Sequence, residues 1–152
     1  AFLLNEKGQL SSDSDVVFYN NRSARGGAVV HSGDNLTGEG DGDDEVIKID
    51  FEKLPADVAK IAFSITIHEA EKRNQNFGMV SNAFVRVLKQ ASADDANGEP
   101  LVRYDLDEDF SLETAVIVGE IYRRNGEWKF NAIGAGMTGG LVAVCRAFGA
   151  NV

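Results

Sequence analysis

The chain has 152 residues, 43% of them apolar, with 24 Asp and Glu against 15 Lys and Arg for a formal net charge of −9. That length favours one domain with a sizeable core, and the acidic surplus argues against phosphate backbones and anionic lipid surfaces as partners, since Lys and Arg carry both interactions. No apolar run approaches the ~20 residues that span a bilayer, no basic-then-apolar signal peptide opens the chain, and the one cysteine, Cys145, can form no internal disulfide, so the expected compartment is the cytoplasm.

Ala1-Phe2-Leu3-Leu4 reads as a strand with no start methionine and no lead-in, so the chain is expected to begin inside a domain. Val16-Val17-Phe18-Tyr19 is a second apolar run, and Ala28-Val29-Val30-His31 a short third strand after Gly26-Gly27. Further on, Ile47, Ile49 and Phe51 alternate with Val46, Lys48 and Asp50, the period of a half-buried strand. Ile61, Phe63, Ile65 and Ile67 alternate strictly with Ala62, Ser64, Thr66 and His68, the clearest strand in the sequence. Glu69 to Gly78 is polar and irregular, and Phe84-Val85-Arg86-Val87-Leu88 resumes the strand pattern. Asp94-Asp95-Ala96-Asn97-Gly98 has the composition of a hairpin connection. Leu101 to Leu106, Thr114 to Tyr122 and Trp128 to Ile133 follow, the last two joined by Asn125-Gly126, a dipeptide suited to a type I′ turn. Only the end reads as a secure helix. Leu141, Val144, Cys145 and Phe148 fall at i, i+3, i+4 and i+7, with Thr138 placed to cap the start and Gly149 the end. About nine short strands with regular turn signals predict a mainly β chain, a two-sheet β-sandwich with short turns of helix and one C-terminal helix.

The charge is not evenly spread. Asp34, Glu39, Asp41, Asp43, Asp44 and Glu45 lie within twelve residues that hold no base, so this segment carries −6 and the rest of the chain only −3. Two carboxylates about 6 Å apart repel by about 0.7 kcal/mol in water and about 3 kcal/mol at an effective dielectric of 20, so six together call for a cation. Three interleaved glycines, Gly38, Gly40 and Gly42, let the backbone turn its carbonyl oxygens inward beside the carboxylates. A solvated acidic loop would gain nothing from them, because they raise the entropy cost of ordering. Oxygen-only ligands on a flexible loop suit Ca²⁺, one or two ions, better than the stricter octahedron of Mg²⁺. An EF-hand does not fit, since Leu36 and Glu39 occupy the third and sixth positions counted from Asp34 and strands flank the segment. The Gly-Asp nonapeptide of parallel β-helices comes in arrays, and here there is one copy.

Other motifs are read as structural. Gly134-Ala135-Gly136-Met137-Thr138-Gly139 matches G-x-G-x-x-G, but only 13 residues follow, too few for the second strand and acidic residue of a dinucleotide fold. A turn packing the last helix onto the sheet is expected instead. His31 and His68 sit at strand ends with no nucleophile elbow nearby. Cys145 lies on the apolar stripe of the helix, a buried thiol, and Asp105, Asp107, Glu108 and Asp109 read as a solvated turn.

The segment Gly33 to Glu45 resembles the signature of the TerD family of tellurite-resistance and stress proteins. Thr66-Ile67-His68-Glu69-Ala70 with Gln75-Asn76-Phe77-Gly78, Arg103-Tyr104-Asp105-Leu106 leading to Glu113-Thr114-Ala115, and Gly119-Glu120-Ile121-Tyr122-Arg123 with Trp128-Lys129-Phe130 agree, so the likeness spans essentially the whole chain as a single domain, 1–152, that lacks its N-terminal part. The resemblance implies a β-sandwich binding Ca²⁺, usually two ions, in a bacterial cytoplasmic protein without catalytic activity. The expected ligand set is Asp34, Asn35, Thr37, Gly38, Glu39, Gly40, Asp41, Asp43, Asp44 and Glu45. Glu69 joins it as a second-tier candidate, because His68-Glu69 stands where the family often has Tyr-Asp. The implied partners are other proteins of the same tellurite, phage and colicin resistance system, met at a membrane-anchored complex, with no nucleic acid and no direct membrane insertion. The competing class is a metal-dependent hydrolase using the acidic loop as a catalytic cation site, for which the sequence offers no general acid or base constellation. Tellurite chemistry by the Cys145 thiol is a third reading, and resistance in cells is expected to survive Cys145→Ser.

Overall fold

A computed structural model describes residues 1–33, 43–92, 98–106 and 110–152. In chain order its regular elements are β1 (Phe2–Leu4), β2 (Ser23–Ala24), β3 (Val29–His31), β4 (Ile47–Ile49), β5 (Lys60–Thr66), α1 (Ala70–Arg73), β6 (Phe84–Lys89), β7 (Glu99–Asp105), β8 (Ala115–Arg124), β9 (Glu127–Met137) and α2 (Gly140–Ala147). The strands form three antiparallel ladders: β1-β5-β8-β9, β2-β3-β4 and β6-β7. The expected mainly β, layered architecture with a C-terminal helix is what the chain adopts.

Side-chain alternation fixes the layers. Leu3 and Ile61 point into a core with Val17, Val29 and Val58, against which Ile47 and Ile49 pack, so β2-β3-β4 covers that face of the large sheet. Phe2, Leu4, Ala62 and Ala115 point the other way and meet Val144 and Cys145 of α2. Strand β1 is therefore buried on both faces, which is why it reads as an unbroken apolar run rather than an alternating one. Val116 and Val118 of β8 join Phe77, Leu106 and Phe110 in a third cluster, with Val85 and Tyr104 of the β6-β7 hairpin against it. The hairpin and β2-β3-β4 thus share one face of the large sheet, and α2 lies on the other. Burying a side chain such as Leu3, Ile61 or Val116, each 1% exposed or less, contributes about 1.5–3 kcal/mol.

Several local expectations change. Val16–Tyr19 makes only isolated bridges, Phe2 to Val16 and Phe18 to Asn21, because Asn21 turns the chain back at once. The polar stretch after Glu69 contains α1, closed by Asn74 in the left-handed region at φ 50°. Asn125 and Gly126 have φ of 52° and 76°, as a type I′ turn requires, so β8 and β9 pair in one register from Arg124 and Glu127 to Gly119 and Ala132, beyond which a bulge shifts it by one residue. Strand β9 runs on to Met137, so the first four residues of the Gly134–Gly139 motif are strand rather than turn. A Cβ at Gly136 would stand 2.6 Å from Glu113 Cγ and 2.9 Å from Phe110 Cδ1, which explains a glycine there by close packing. Thr138 does not cap α2. The hydroxyl of Thr114, 8% exposed, accepts from the backbone N–H of Gly139 (3.1 Å) and Gly140 (3.0 Å) instead.

Candidate metal centre

Strands β4 and β6 end their respective ladders and border one cleft, floored by Phe63, Ile65 and Ile67. Asp43, Asp44 and Glu45, leading into β4, line this cleft, and so does Glu69, which follows the end of β5. These are the four expected ligands, of eleven, that fall among the described residues, and all border a broad open depression that also takes in β6 and part of α2. The other seven, Asp34, Asn35, Thr37, Gly38, Glu39, Gly40 and Asp41, lie outside the described residues. Among the described residues no three His, Cys, Asp or Glu side chains converge as a metal shell.

Each of three carboxylates meets a protein cation or imidazole. Arg86, on β6, donates from Nε to Asp43 Oδ1 (2.8 Å) and from Nη2 to Asp43 Oδ2 (2.9 Å), a bidentate pair across 43 residues of sequence. Hydrogen bonding to Asp43 raises the Arg86 guanidinium pKa above its usual value. His31 is buried at the end of β3, where its Nδ1 accepts from the Gly33 N–H at 3.0 Å. That assigns the ring proton of the neutral form to Nε2, which faces Glu45 Oε2 at 3.2 Å. Lys72, one turn along α1, donates to Glu69 Oε1 at 2.6 Å and holds that carboxylate below its usual pKa. The four described candidates, Asp43, Asp44, Glu45 and Glu69, offer oxygen donors, which suit a hard cation such as Ca²⁺ rather than a thiolate metal. Arg86 was not legible as part of this site, although it is the one charge in the apolar run Phe84–Leu88.

The residues expected to be structural behave so. The His68 ring stands edge-on to Tyr19, with centroids 5.9 Å apart. Cys145 is buried under α2, and desolvation pushes its thiol pKa up, away from reactivity. Asp105 pairs with Arg103 on its own strand at 2.9 Å, while Asp107, Glu108 and Asp109 lie outside the described residues. No helix among the described residues is long and apolar enough to cross a membrane.

This layered β architecture matches known proteins. Residues 1–148 match the TerD domain. General stress protein 16U of Bacillus subtilis (strain 168) is 54% identical over 99% of this chain and 76% of its own length. Tellurium resistance protein TerD of Serratia marcescens is 52% identical over the same shares. The crystal structure of a homologue of telluride resistance protein (TerD) from Streptomyces coelicolor A3(2) superimposes with a TM-score of 0.67 over 82% of this chain and 69% of that one, and at 22% identity it speaks for the fold alone. The chain belongs to the TerD family, a family of tellurium-resistance and stress-response proteins.

Proposed function

We propose that this chain is a Ca²⁺-binding stress-response module that acts by cation-ordered protein interaction in the cytoplasm, not by catalysis. The observation that carries the reading is the run Asp43, Asp44 and Glu45 leading into β4, at the exit of a segment holding six carboxylates and no base. Asp34, Asn35, Thr37, Gly38, Glu39, Gly40, Asp41, Asp43, Asp44 and Glu45 would hold the cations, two in number, with Glu69 as an outer ligand. Bound Ca²⁺ supplies positive charge that cancels the repulsion among these carboxylates. The chain's own part is to fix the entry to β4, and with it the cleft edge that other proteins of the same resistance system would contact.

Thermal unfolding in excess Ca²⁺ and in a chelator tests this. Cations bound only to the folded form at a hundredfold excess over Kd stabilise it by about 2.7 kcal/mol, a rise in midpoint of roughly 5–10 °C for a domain of this size. Identical midpoints in the two buffers would sink the reading.

A further inference from the structure

Strands β4 and β6 border the cleft, and among the described residues no strand pairs with either on that side. In the β3-β4 ladder the Ser32 N–H donates to the Val46 carbonyl and the Asp50 N–H to the Ala28 carbonyl, each at 2.8 Å, so the main-chain groups of Ile47 and Ile49 point away from β3. In the hairpin the Leu106 N–H donates to the Ala83 carbonyl at 2.9 Å, so those of Phe84 and Arg86 point away from β7 in the same manner. Open N–H and C=O groups along a strand edge are a template for a further strand. Phe63, Ile65 and Ile67, on the floor between the two edges, are only half buried, as a sheet face short of its cover is. Every charge on the two edge strands is positive: Lys48 on β4, Arg86 and Lys89 on β6. Asp43 engages Arg86, whereas Lys48 and Lys89 are exposed and meet no carboxylate among the described residues. On a chain of net charge −9 this is a local reversal of sign.

We propose that the cleft between β4 and β6 receives an extended segment of a partner protein in which apolar residues alternate with acidic ones, and that this segment joins the two ladders into one sheet by strand addition. Its inward side chains cover Phe63, Ile65 and Ile67, and its main chain pairs with the open edges at Ile47, Ile49, Phe84 and Arg86. Its outward carboxylates lie beside Lys48 and Lys89, the cross-strand arrangement in which opposite charges stabilise a sheet. The main-chain bonds supply affinity for any extended chain, while the apolar floor and the cationic rim select the alternation. The inference goes beyond the Ca²⁺ reading, since it names the chemistry of the partner and requires no bound ion.

The test is a titration in chelator with the peptide acetyl-Glu-Val-Glu-Val-Glu-Val-Glu amide, against the same peptide carrying Lys at every Glu. Binding is read from the fluorescence of Trp128, the one tryptophan, which borders the cleft, and from amide hydrogen exchange. The acidic peptide is expected to bind about two- to thirtyfold more tightly than the basic one, the effect of two favourable cross-strand charge pairs. At saturation it is expected to slow exchange at Ile47, Ile49, Phe84 and Arg86, while Lys48 and Val85, already bonded within their ladders, keep their rates. Lys48→Glu combined with Lys89→Glu, both on exposed positions, is expected to reverse the preference between the two peptides. Absence of binding, equal binding of the two peptides, or binding that leaves those four amides unchanged overturns the proposal. Slowing of the same amides with rising protein concentration and no peptide also overturns it, because the occupant is then a second copy of this chain. Chelator is present throughout, so these outcomes are independent of the melts in Ca²⁺ that decide the cation reading.

Discussion

Asp15 is 1% exposed, and a carboxylate that deep survives only when its charge is met. Arg25 meets it with Nε to Oδ1 at 2.6 Å and Nη2 to Oδ2 at 2.8 Å, and turns its remaining Nη1 to Asp57 at 2.9 Å. The guanidinium pKa rises accordingly, chiefly through the hydrogen bond to Asp15. Arg25 itself adopts φ 51°, a left-handed conformation that costs a side-chain-bearing residue free energy, in a turn that continues through Gly26 and Gly27 at positive φ. The two arms of Arg25 are not equal, because Asp57 is 54% exposed where Asp15 is closed to water. Arg25→Ala is therefore expected to destabilise the fold by about 2–3 kcal/mol, below the full cost of orphaning a buried charge because Arg25 is itself 24% exposed. Asp57→Asn is expected to cost less than about 1 kcal/mol. Urea unfolding reads both as shifts in midpoint at constant slope, and equal shifts would refute this ranking.

At the scale of elements, α2 shows where local pattern ends and tertiary structure begins. Its apolar stripe was plain in the sequence, and Val144 and Cys145 are indeed the residues it buries. Its cap was not, because the nearest hydroxyl, Thr138, lies on a chain still leaving β9, while Thr114 at the head of β8 reaches the first two amides from across the sheet. Thr114→Val keeps the shape of the side chain and removes the acceptor, leaving two N–H groups without it. A cost of about 1 kcal/mol is expected in the unfolding midpoint, together with faster amide exchange at Gly139 and Gly140, and unchanged exchange there would discount the cap. The same boundary governs the rest of the molecule. Strands with strict alternation, such as β5, and the Asn125-Gly126 turn follow from residues within reach of one another. The pairing of Arg86 with Asp43 or His31 with Glu45 has no short-range signal, since the fold alone brings positions 43 and 14 residues apart together. The acidic segment announced the candidate site through charge and glycine; the cleft that receives its exit, and the cationic residues waiting there, are properties of the assembled ladders.

For the whole molecule the decisive quantity is net charge, because it governs what the surface attracts and can be measured without knowing a partner. The sequence carries −9, of which −6 lies between Asp34 and Glu45. Each Ca²⁺ adds +2, so one bound ion would leave about −7 and two about −5. Electrophoretic mobility in free solution, at fixed ionic strength, thus counts the ions. Passing from chelator to saturating Ca²⁺ is expected to lower it by roughly 40% for two ions and roughly 20% for one, with Mg²⁺ at the same concentration producing less, since it keeps more of its water and demands stricter geometry. A mobility that responds equally to both cations would assign the change to diffuse screening rather than to a site. The measurement also bears on partners, since a surface at −5 repels anionic surfaces less than one at −9, and the sequence-based argument against such surfaces weakens in proportion as the site fills.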